Sequence, residues 1–434
     1  MTRCDQTLGN TPQRTNLRWW ICLIIFLATT IIYSDRQFLS LLKSTLVSEI
    51  HWTDTQFANV NSCFLGAYAF GLLFFGRFID RVGVKIGYAT TVFFWSLAAL
   101  SHTLVTSVEG FMAARVFLGL SEAGNFPAAI KAISQWFPQT ERAFATALFN
   151  SGANIGAILA PLLVAWLLKV STWHAPFLIA GVAGIIWVIV WWLFYSAPEK
   201  NKFISQAELN LIRSGSSSQE TNAPAITLSS LFRYPQSWSF IIAKFLTDPV
   251  WFFLLFWLPD YFKKTRHLDI KSSWPHLMTI YAVVTVLSLV GGYIPGYLVR
   301  LGWSVTRARK SGLFCYALLV TPILTVGMVG DWAAVLLIGL VGAAHQSWSA
   351  NLFTTVSDMF PRNSIASLIG VGSMAGALGS MLFQYYCGHI LDIYGVDHAE
   401  AGYFLLFTYS AFAYLIAFGL QHLLAPKFEL IGER

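Results

Sequence analysis

The sequence predicts an all-α integral membrane protein in which twelve transmembrane helices form two pseudo-symmetric six-helix bundles. Three observations lead to this fold class. The 434 residues are 56% hydrophobic and only 11% charged, with a mean hydropathy of +0.59, whereas a soluble domain carries roughly 25% charged residues. Apolar runs close to the length that crosses a bilayer recur along the chain. One long polar stretch divides these runs into six and six.

The apolar runs place the twelve spans in order along the chain. In the first half we predict spans at 17–40, 55–76, 86–106, 109–133, 141–168 and 173–196. In the second half we predict spans at 236–262, 275–299, 308–328, 331–357, 365–388 and 400–424. The polar stretch between them is rich in Ser, which is typical of a flexible linker. The predicted domains are a tail at 1–16, bundles at 17–197 and 236–424, the linker at 198–235, and a tail at 425–434.

The distribution of Lys and Arg predicts the orientation of the spans. With both termini in the cytoplasm, eighteen Lys and Arg residues fall on the cytoplasmic side and six on the outer side. Cytoplasmic loops retain positive charge, so this bias favours cytoplasmic termini. The same bias explains the net charge of +7 without a nucleic-acid partner.

The sequence contains no pattern that indicates catalysis or metal binding. No His pair or Cys pair has metal-ligand spacing, no Gly-rich loop follows a strand, and no nucleotide-binding lysine motif is present. We therefore expect neither an enzyme nor a cofactor. A sensor or a membrane enzyme would need a soluble domain or a catalytic constellation, and the lack of an ATP site favours an ion gradient as the source of energy.

A glycine-containing basic motif follows the second span and is echoed after the eighth. The first copy reads Gly76-Arg77-Phe78-Ile79-Asp80-Arg81-Val82-Gly83-Val84-Lys85, and the second begins Gly296-Tyr297-Leu298-Val299-Arg300. In a six-plus-six layout, the pattern G-x-x-x-D-R-x-G-x-K resembles the signature loop of the major facilitator superfamily. The resemblance implies that Gly76, Asp80, Arg81, Gly83 and Lys85 form a gating motif on the cytoplasmic side. The alternative is that the basic residues only mark the topology.

Two further stretches resemble the anion:cation symporter family within that superfamily. Span 1 ends Tyr33-Ser34-Asp35-Arg36-Gln37-Phe38-Leu39-Ser40, and span 4 contains Arg115-Val116-Phe117-Leu118-Gly119-Leu120-Ser121-Glu122. The stretches 125–131, 149–154 and 349–354 resemble the hexuronate transporter branch. The resemblance implies proton-coupled symport of a hexuronate, such as glucuronate or galacturonate, by a monomer in the bacterial inner membrane. An aldonate, a dicarboxylate or an aromatic acid is the alternative substrate, because Ala153 stands where some sugar-acid relatives carry a polar side chain.

Ionisable residues inside the predicted spans are few, and at that depth they mark a pathway or an ion pair. Arg36 is the candidate for binding the substrate carboxylate, because a guanidinium stays charged when desolvated and binds carboxylates bidentately. The alternative is a structural ion pair with Asp35 or another acid. Tyr33 shares a helix face with Arg36, and Tyr33 and Tyr68 are predicted to contact the substrate unless both serve only in packing.

Asp35 and Glu122 are the candidates for proton coupling, with Arg115 as their partner. Arg115 and Glu122 lie two helical turns apart on one stripe, and Gly119 between them leaves room for a neighbouring helix. The family resemblance implies that the acids of spans 1 and 4 serve as proton and substrate-linked sites. The alternative is that both acids only neutralise Arg36 and Arg115.

Other polar residues in the spans give further predictions. Lys244 and Asp248 are four residues apart and are expected to form an ion pair within one helix. Asn150, Asn154 and Asn351 are candidates for binding sugar hydroxyls, although polar residues in spans also bond between helices. Three glycines of span 11 are expected to serve in helix packing: Gly372, Gly376 and Gly379.

Overall fold

The computed structural model describes residues 15–214 and 228–431, which form helices joined by short turns and contain no strand. The first half consists of α1 (Leu17–Leu41), α2 (Lys43–Ile50), α3 (Asp54–Val82), α4 (Val84–Ser101), α5 (Val108–Glu122), α6 (Asn125–Trp136), α7 (Gln139–Val170) and α8 (His174–Phe194). The linker contributes α9 (Gln206–Ser214) and α10 (Leu228–Leu231). The second half consists of α11 (Pro235–Arg266), α12 (Ile270–Arg300), α13 (Val305–Val320), α14 (Asp331–Met359), α15 (Arg362–Tyr394) and α16 (Ala399–Leu424).

The predicted tails and linker fall partly outside this description. Residues 1–14 of the first tail, residues 215–227 of the Ser-rich linker and residues 432–434 of the last tail lie outside the described ranges. The last helix of the first half ends at Phe194 and the first helix of the second half begins at Pro235.

Within these described ranges, eleven helices are long and apolar enough to cross a membrane, when α13 is taken together with the 3-10 helix Thr321–Met328 that continues it. The remaining predicted crossing, the fourth, is divided: α5 ends at Glu122 and α6 begins at Asn125. Neither piece alone reaches the length of a crossing. Ala123 and Gly124 in the break keep right-handed helical dihedral angles, so the chain continues in the same direction. Together α5 and α6 provide the twelfth crossing that the sequence predicts.

Glycines make the closest contacts between helices within each half. A Cβ on Gly156 of α7 would lie 2.4 Å from the carbonyl oxygen of Thr30 in α1. The predicted packing role of the span 11 glycines is confirmed, since Gly372 faces Phe240 and Gly379 faces the backbone of Phe245. Small residues at such interfaces let helix backbones approach closely in a membrane.

The two halves meet mainly where α3 packs on α15 and where α7 packs on α12. The hydroxyl of Ser62 in α3 donates a hydrogen bond to the carbonyl oxygen of Met381 in α15, at 3.0 Å. We call the end of the bundle at which α8 leads into α9 the linker end, and the opposite end the distal end. The chain turns from α1 to α3, from α11 to α12 and from α15 to α16 at the distal end.

Candidate functional site

Four ionisable side chains of the first half come together inside the bundle, and we call them the central charged set. Asp35 and Arg36 come from α1, and Arg115 and Glu122 come from α5. Their exposed fractions are 0% for Asp35 and Arg115, 1% for Glu122 and 5% for Arg36. The two positive and two negative charges cancel within the set. This balance offsets part of the large cost of burying charged groups at membrane depth.

The one direct bond inside the central charged set joins α1 to α5. Nε of Arg36 donates a hydrogen bond to Oε2 of Glu122 at 2.6 Å. Arg36 does not bond to Asp35, but its ion pair with Glu122 is the alternative of a structural pair with another acid, and this pair is formed in this conformation. Within the described chain, both carboxylate oxygens of Asp35, all three guanidinium nitrogens of Arg115 and Oε1 of Glu122 are buried without a hydrogen-bond partner. A set with one bond among four charged groups can rearrange when a proton or an anion is added.

Gly119 brings α5 close enough to α3 for the two helices to build the site together. A Cβ on Gly119 would lie 2.3 Å from the carbonyl oxygen of Phe64 and 3.1 Å from the backbone nitrogen of Tyr68. The predicted close approach at Gly119 is therefore confirmed. It places Phe64 and Tyr68 beside the helix that carries Arg115 and Glu122.

Aromatic rings enclose the guanidinium of Arg36. Its carbon lies 4.9 Å from the ring centroid of Tyr33, 4.8 Å from that of Tyr68 and 5.5 Å from that of Phe64. Such cation–π contacts replace part of the hydration that a buried cation loses. The two terminal nitrogens of Arg36 donate to no residue in the described ranges. The structure thus brings Arg36, Tyr33 and Tyr68 together, and the two terminal nitrogens of the guanidinium lack a hydrogen-bond partner among the described residues.

The three candidate asparagines are not hydrogen-bonded to the central charged set within the part of the chain that is described. Nδ2 of Asn351 donates to the carbonyl oxygen of Arg309 at 2.9 Å, and Nη1 of Arg309 donates to Oδ1 of Asn351 at 3.4 Å. Asn351 therefore joins α14 to α13. Asn150 is exposed and Asn154 is half-buried on α7. Binding of sugar hydroxyls by these residues stays a prediction.

The second half carries the ion pair that its sequence spacing predicts. Nζ of Lys244 lies 2.7 Å from Oδ2 of Asp248 within α11. Beside this pair, Nδ1 of His345 and the hydroxyl of Tyr414 are 2.6 Å apart. Trp251 stacks on the His345 ring, with the centroids 5.3 Å apart.

The predicted gating motif forms the turn between α3 and α4 at the linker end. Gly83 has a φ of 84°, a backbone conformation that favours glycine. Nζ of Lys131 in α6 donates to Oδ1 of Asp80 at 2.6 Å, while Arg81 is exposed and Gly76 has open space around its Cα. Asp80 thus pairs within the first half in this conformation. Closure of a gate by the motif stays a prediction.

A second ionic cluster, which the sequence analysis did not identify, lies at the distal end. Nζ of Lys43 lies 2.6 Å from Oδ1 of Asp54 and 2.9 Å from Oδ1 of Asp260. Lys264 pairs with both acids, and Tyr403 donates to Oδ2 of Asp260 at 2.6 Å. Because Lys43 and Asp54 belong to the first half, this distal cluster ties the two halves together. The sequence did carry a signal for this cluster, because oppositely charged residues lie at the outer ends of spans 1, 2 and 7.

The comparisons with known proteins agree on one protein family. The model of the Major Facilitator Superfamily matches residues 25–384. The hexuronate transporter of Escherichia coli K12 is 30% identical over 386 residues, which cover 87% of this chain and 89% of the relative. The D-galactonate transporter of Escherichia coli O6:H1 is 27% identical over 413 residues, which cover 93% of this chain and 96% of the relative.

Solved structures show the same fold. A bacterial homologue of the human lysosomal transporter Spinster, in an inward-facing and occupied conformation, superposes with a TM-score of 0.74. The match covers 95% of this chain and 98% of that chain, at 14% sequence identity. At this identity the likeness concerns the fold alone.

Proposed function

The chain belongs to the major facilitator superfamily, and on that premise we propose that it is a secondary active transporter for a sugar acid. The substrate is a hexuronate such as glucuronate or galacturonate, which moves together with protons by alternating access. The relatives and structural neighbours described above are transporters, so the chain is a multi-pass membrane transporter rather than an enzyme.

The observation that carries the proposed substrate is the free end of the Arg36 guanidinium. Its Nε is engaged by Glu122, but its two terminal nitrogens have no partner in the described ranges. A carboxylate fits such a fork through two parallel hydrogen bonds. The rings of Tyr33 and Tyr68 flank the same guanidinium, so a sugar bound through its carboxylate would lie against aromatic surface and phenolic hydroxyls. The hexuronate relative supports the same substrate class.

Proton coupling follows from the charge balance of the central charged set. The set is neutral when both acids are ionised, and a substrate carboxylate adds one negative charge to it. Protonation of Asp35 or Glu122 restores neutrality, so the anion and one proton bind together more favourably than either binds alone. When the proton is released on the cytoplasmic side, the site binds the anion more weakly. No cofactor is needed, because the proton gradient supplies the energy.

An aldonate is the second candidate substrate. The D-galactonate relative matches more of the chain than the hexuronate relative does, and an aldonate offers the same carboxylate to Arg36. Competition between glucuronate and galactonate for uptake separates the two candidates, since the true substrate competes at lower concentration.

We further propose that the protein acts as a monomer in the bacterial inner membrane with both termini in the cytoplasm. The excess of Lys and Arg in the loops at the linker end supports this orientation. The linker end would then face the cytoplasm and the distal end would face outward.

Accumulation of labelled glucuronate in proteoliposomes under an imposed pH gradient tests the proposed function. We expect the wild-type protein to concentrate the substrate. In Asp35→Asn the initial rate of proton-driven accumulation should fall by at least about tenfold, a barrier change near 1.4 kcal/mol. Exchange of internal for external substrate should persist in Asp35→Asn, because exchange needs no net proton release. Glu109→Gln, a change of an exposed acid at the start of α5 that does not line the distal cavity, is the control. Accumulation by the wild-type protein that ignores the pH gradient would contradict proton coupling.

A further inference from the structure

A buried face of α1 and α2 is turned toward a buried face of α3, and side chains meet across it at the level of the central charged set and at the level of the distal cluster. Arg36 and Ser40 of α1 and Lys43, the first residue of α2, are spaced by four and three residues. Leu42 between the two helices keeps a right-handed helical backbone, so the three residues share one face. Along α3 the facing residues have the same helical spacing: Asp54, Phe57, Asn61, Phe64 and Tyr68. Ser40 and Asn61 are the midpoints of these two faces.

Contacts at both ends fix how the two faces align. At the distal end, Nζ of Lys43 lies 2.6 Å from Asp54 and 4.7 Å from the ring centroid of Phe57. At the inner end, the guanidinium of Arg36 lies 4.8 Å from the ring centroid of Tyr68. Since these contacts bracket the stretch between them, the two midpoints lie at the same level, between the distal cluster and the central charged set.

Both midpoints are buried polar groups without partners. The hydroxyl of Ser40 and both amide atoms of Asn61 form no hydrogen bond with any residue of 15–214 or 228–431, and the exposed fractions are 1% and 0%. A buried polar group left unpaired destabilises the folded protein. Folded proteins commonly satisfy such groups with internal water. The unpaired atoms continue inward, with the carboxylate oxygens of Asp35 and Oε1 of Glu122.

Solvent reaches the outer end of this line of polar groups. A cavity of about 830 Å³ at the distal end is lined by Lys43, Asp54, Asp260 and Lys264. The cavity therefore ends at the same ion pairs that close the contact between the two halves. The positive charges of Lys43 and Lys264 are balanced there by the two carboxylates, so the entrance does not repel protons as an unpaired lysine would.

We propose that Ser40 and Asn61 bind a file of internal water that carries protons from the distal cavity to Asp35 and Glu122. The path serves the proton coupling proposed above and lets protons reach the central charged set while the distal cluster still holds the halves together. For each transfer the file takes one proton from the cavity and gives one to a carboxylate oxygen, and no electron moves. At its inner end the file faces the guanidinium groups of Arg36 and Arg115, whose charges the two receiving acids balance.

Substitutions that keep volume and remove polarity test this path in the full chain. For Asn61→Leu and Ser40→Ala in proteoliposomes, we expect proton influx and proton-driven accumulation of glucuronate to fall by about tenfold. Substrate exchange should change by less than about twofold, because exchange requires no proton transfer through the file. Asn61→Ser, which restores a hydroxyl that can hold water, should recover most of the proton influx.

Matched controls separate the path from general effects of burial. Ser273→Ala removes another buried hydroxyl that lacks a partner among the described residues, and Gln421→Met removes a buried amide of the same kind. Both lie in the second half and should leave proton influx unchanged. Unaltered influx in Asn61→Leu would overturn the proposal, and so would an equal loss of exchange, which would indicate that the amide contacts substrate.

The proposed water file and the proposed proton coupling can be tested separately. If the wild-type protein accumulates substrate without any proton influx, the proposed coupling is wrong. An experimental structure that resolves ordered water then decides the file itself. Water hydrogen-bonded to Asn61 and Ser40 would support the file, whereas a dry contact between the two side chains would overturn it.

Discussion

Arg36 uses only one of its three guanidinium nitrogens in a hydrogen bond within the described residues, and this arrangement determines what the site can bind. Nε is committed to Glu122 at 2.6 Å, so the side chain is held in one orientation. The aromatic rings on its faces limit its movement further. Only the terminal edge remains for a ligand, and that edge matches a carboxylate.

The pairing of Arg36 with Glu122 also means that the acid and the substrate compete for one guanidinium. We predict that Glu122→Gln binds glucuronate about tenfold more tightly than the wild-type protein, a difference of roughly 1.4 kcal/mol. The wild-type affinity should fall as pH rises, because ionised Glu122 opposes the anion, and this dependence should be much weaker in Glu122→Gln. Titration calorimetry at mildly acidic and mildly alkaline pH measures both effects. The same affinity and pH dependence in both proteins would show that Glu122 does not compete.

Sequence reasoning could name the members of this site but not their pairing. Burial of Arg36, Asp35, Arg115 and Glu122 follows from charges placed within apolar spans. The choice of Glu122 over the adjacent Asp35 depends on how α1 and α5 align in space, which no local pattern records. Adjacent residues point about 100° apart on a helix, so Asp35 and Arg36 face different neighbours.

At the level of helices, the contact between α3 and α5 holds the site together. Gly119 allows this contact because a side chain there would overlap the backbone of Phe64. A helix interface of this kind can be predicted from the sequence when a glycine lies between two charged residues on the same face of a helix. The break between α5 and α6 has a signal in the sequence that the span prediction did not use. Pro127 has no backbone N–H, and in a continuous helix its ring clashes with the carbonyl of Ala123, four residues earlier. Gly124 in the break also packs closely, since a Cβ there would lie 2.6 Å from the side chain of Thr91.

We predict that Gly119→Ala lowers both stability and transport. The added methyl group forces α5 away from α3, and overpacking of this kind typically costs about 1–3 kcal/mol. Melting in detergent and glucuronate exchange measure the two losses. Gly370→Ala is the control, because nothing lies within 4 Å of a Cβ at that position. Equal melting temperatures and exchange rates for the two variants would contradict the role of this contact.

At the scale of the whole molecule, the ion pairs between the two halves that the described residues form all lie at the distal end. Among the described residues, the ion pairs that join the halves are Lys43 with Asp260 and Lys264 with Asp54, both at the distal end. The carboxylate of Asp392 in α15 also accepts hydrogen bonds from the backbone nitrogens of Asp54 and Thr55, each at 2.9 Å. Alternating access by rocking of the halves would therefore require this end to come apart.

Most of the architecture could be predicted from the sequence, whereas the ion pairs that join the two halves at the distal end could not. Span count, the division into halves and the glycine contacts follow from composition and spacing, which are local properties. The distal cluster joins residues more than two hundred positions apart, and in the sequence Lys43 and Lys264 appear only as charges in outer loops. Their pairing depends on how the two halves are docked.

Binding of glucuronate to the purified protein tests most directly whether the Arg36 guanidinium recognises a sugar carboxylate. The wild-type protein should bind glucuronate and not uncharged glucose, and Arg36→Lys should bind glucuronate about 100-fold more weakly, a loss of roughly 2.7 kcal/mol. Lysine keeps the charge but loses the planar fork and its stacking between aromatic rings. Binding of glucuronate by Arg36→Lys with wild-type affinity would contradict the account.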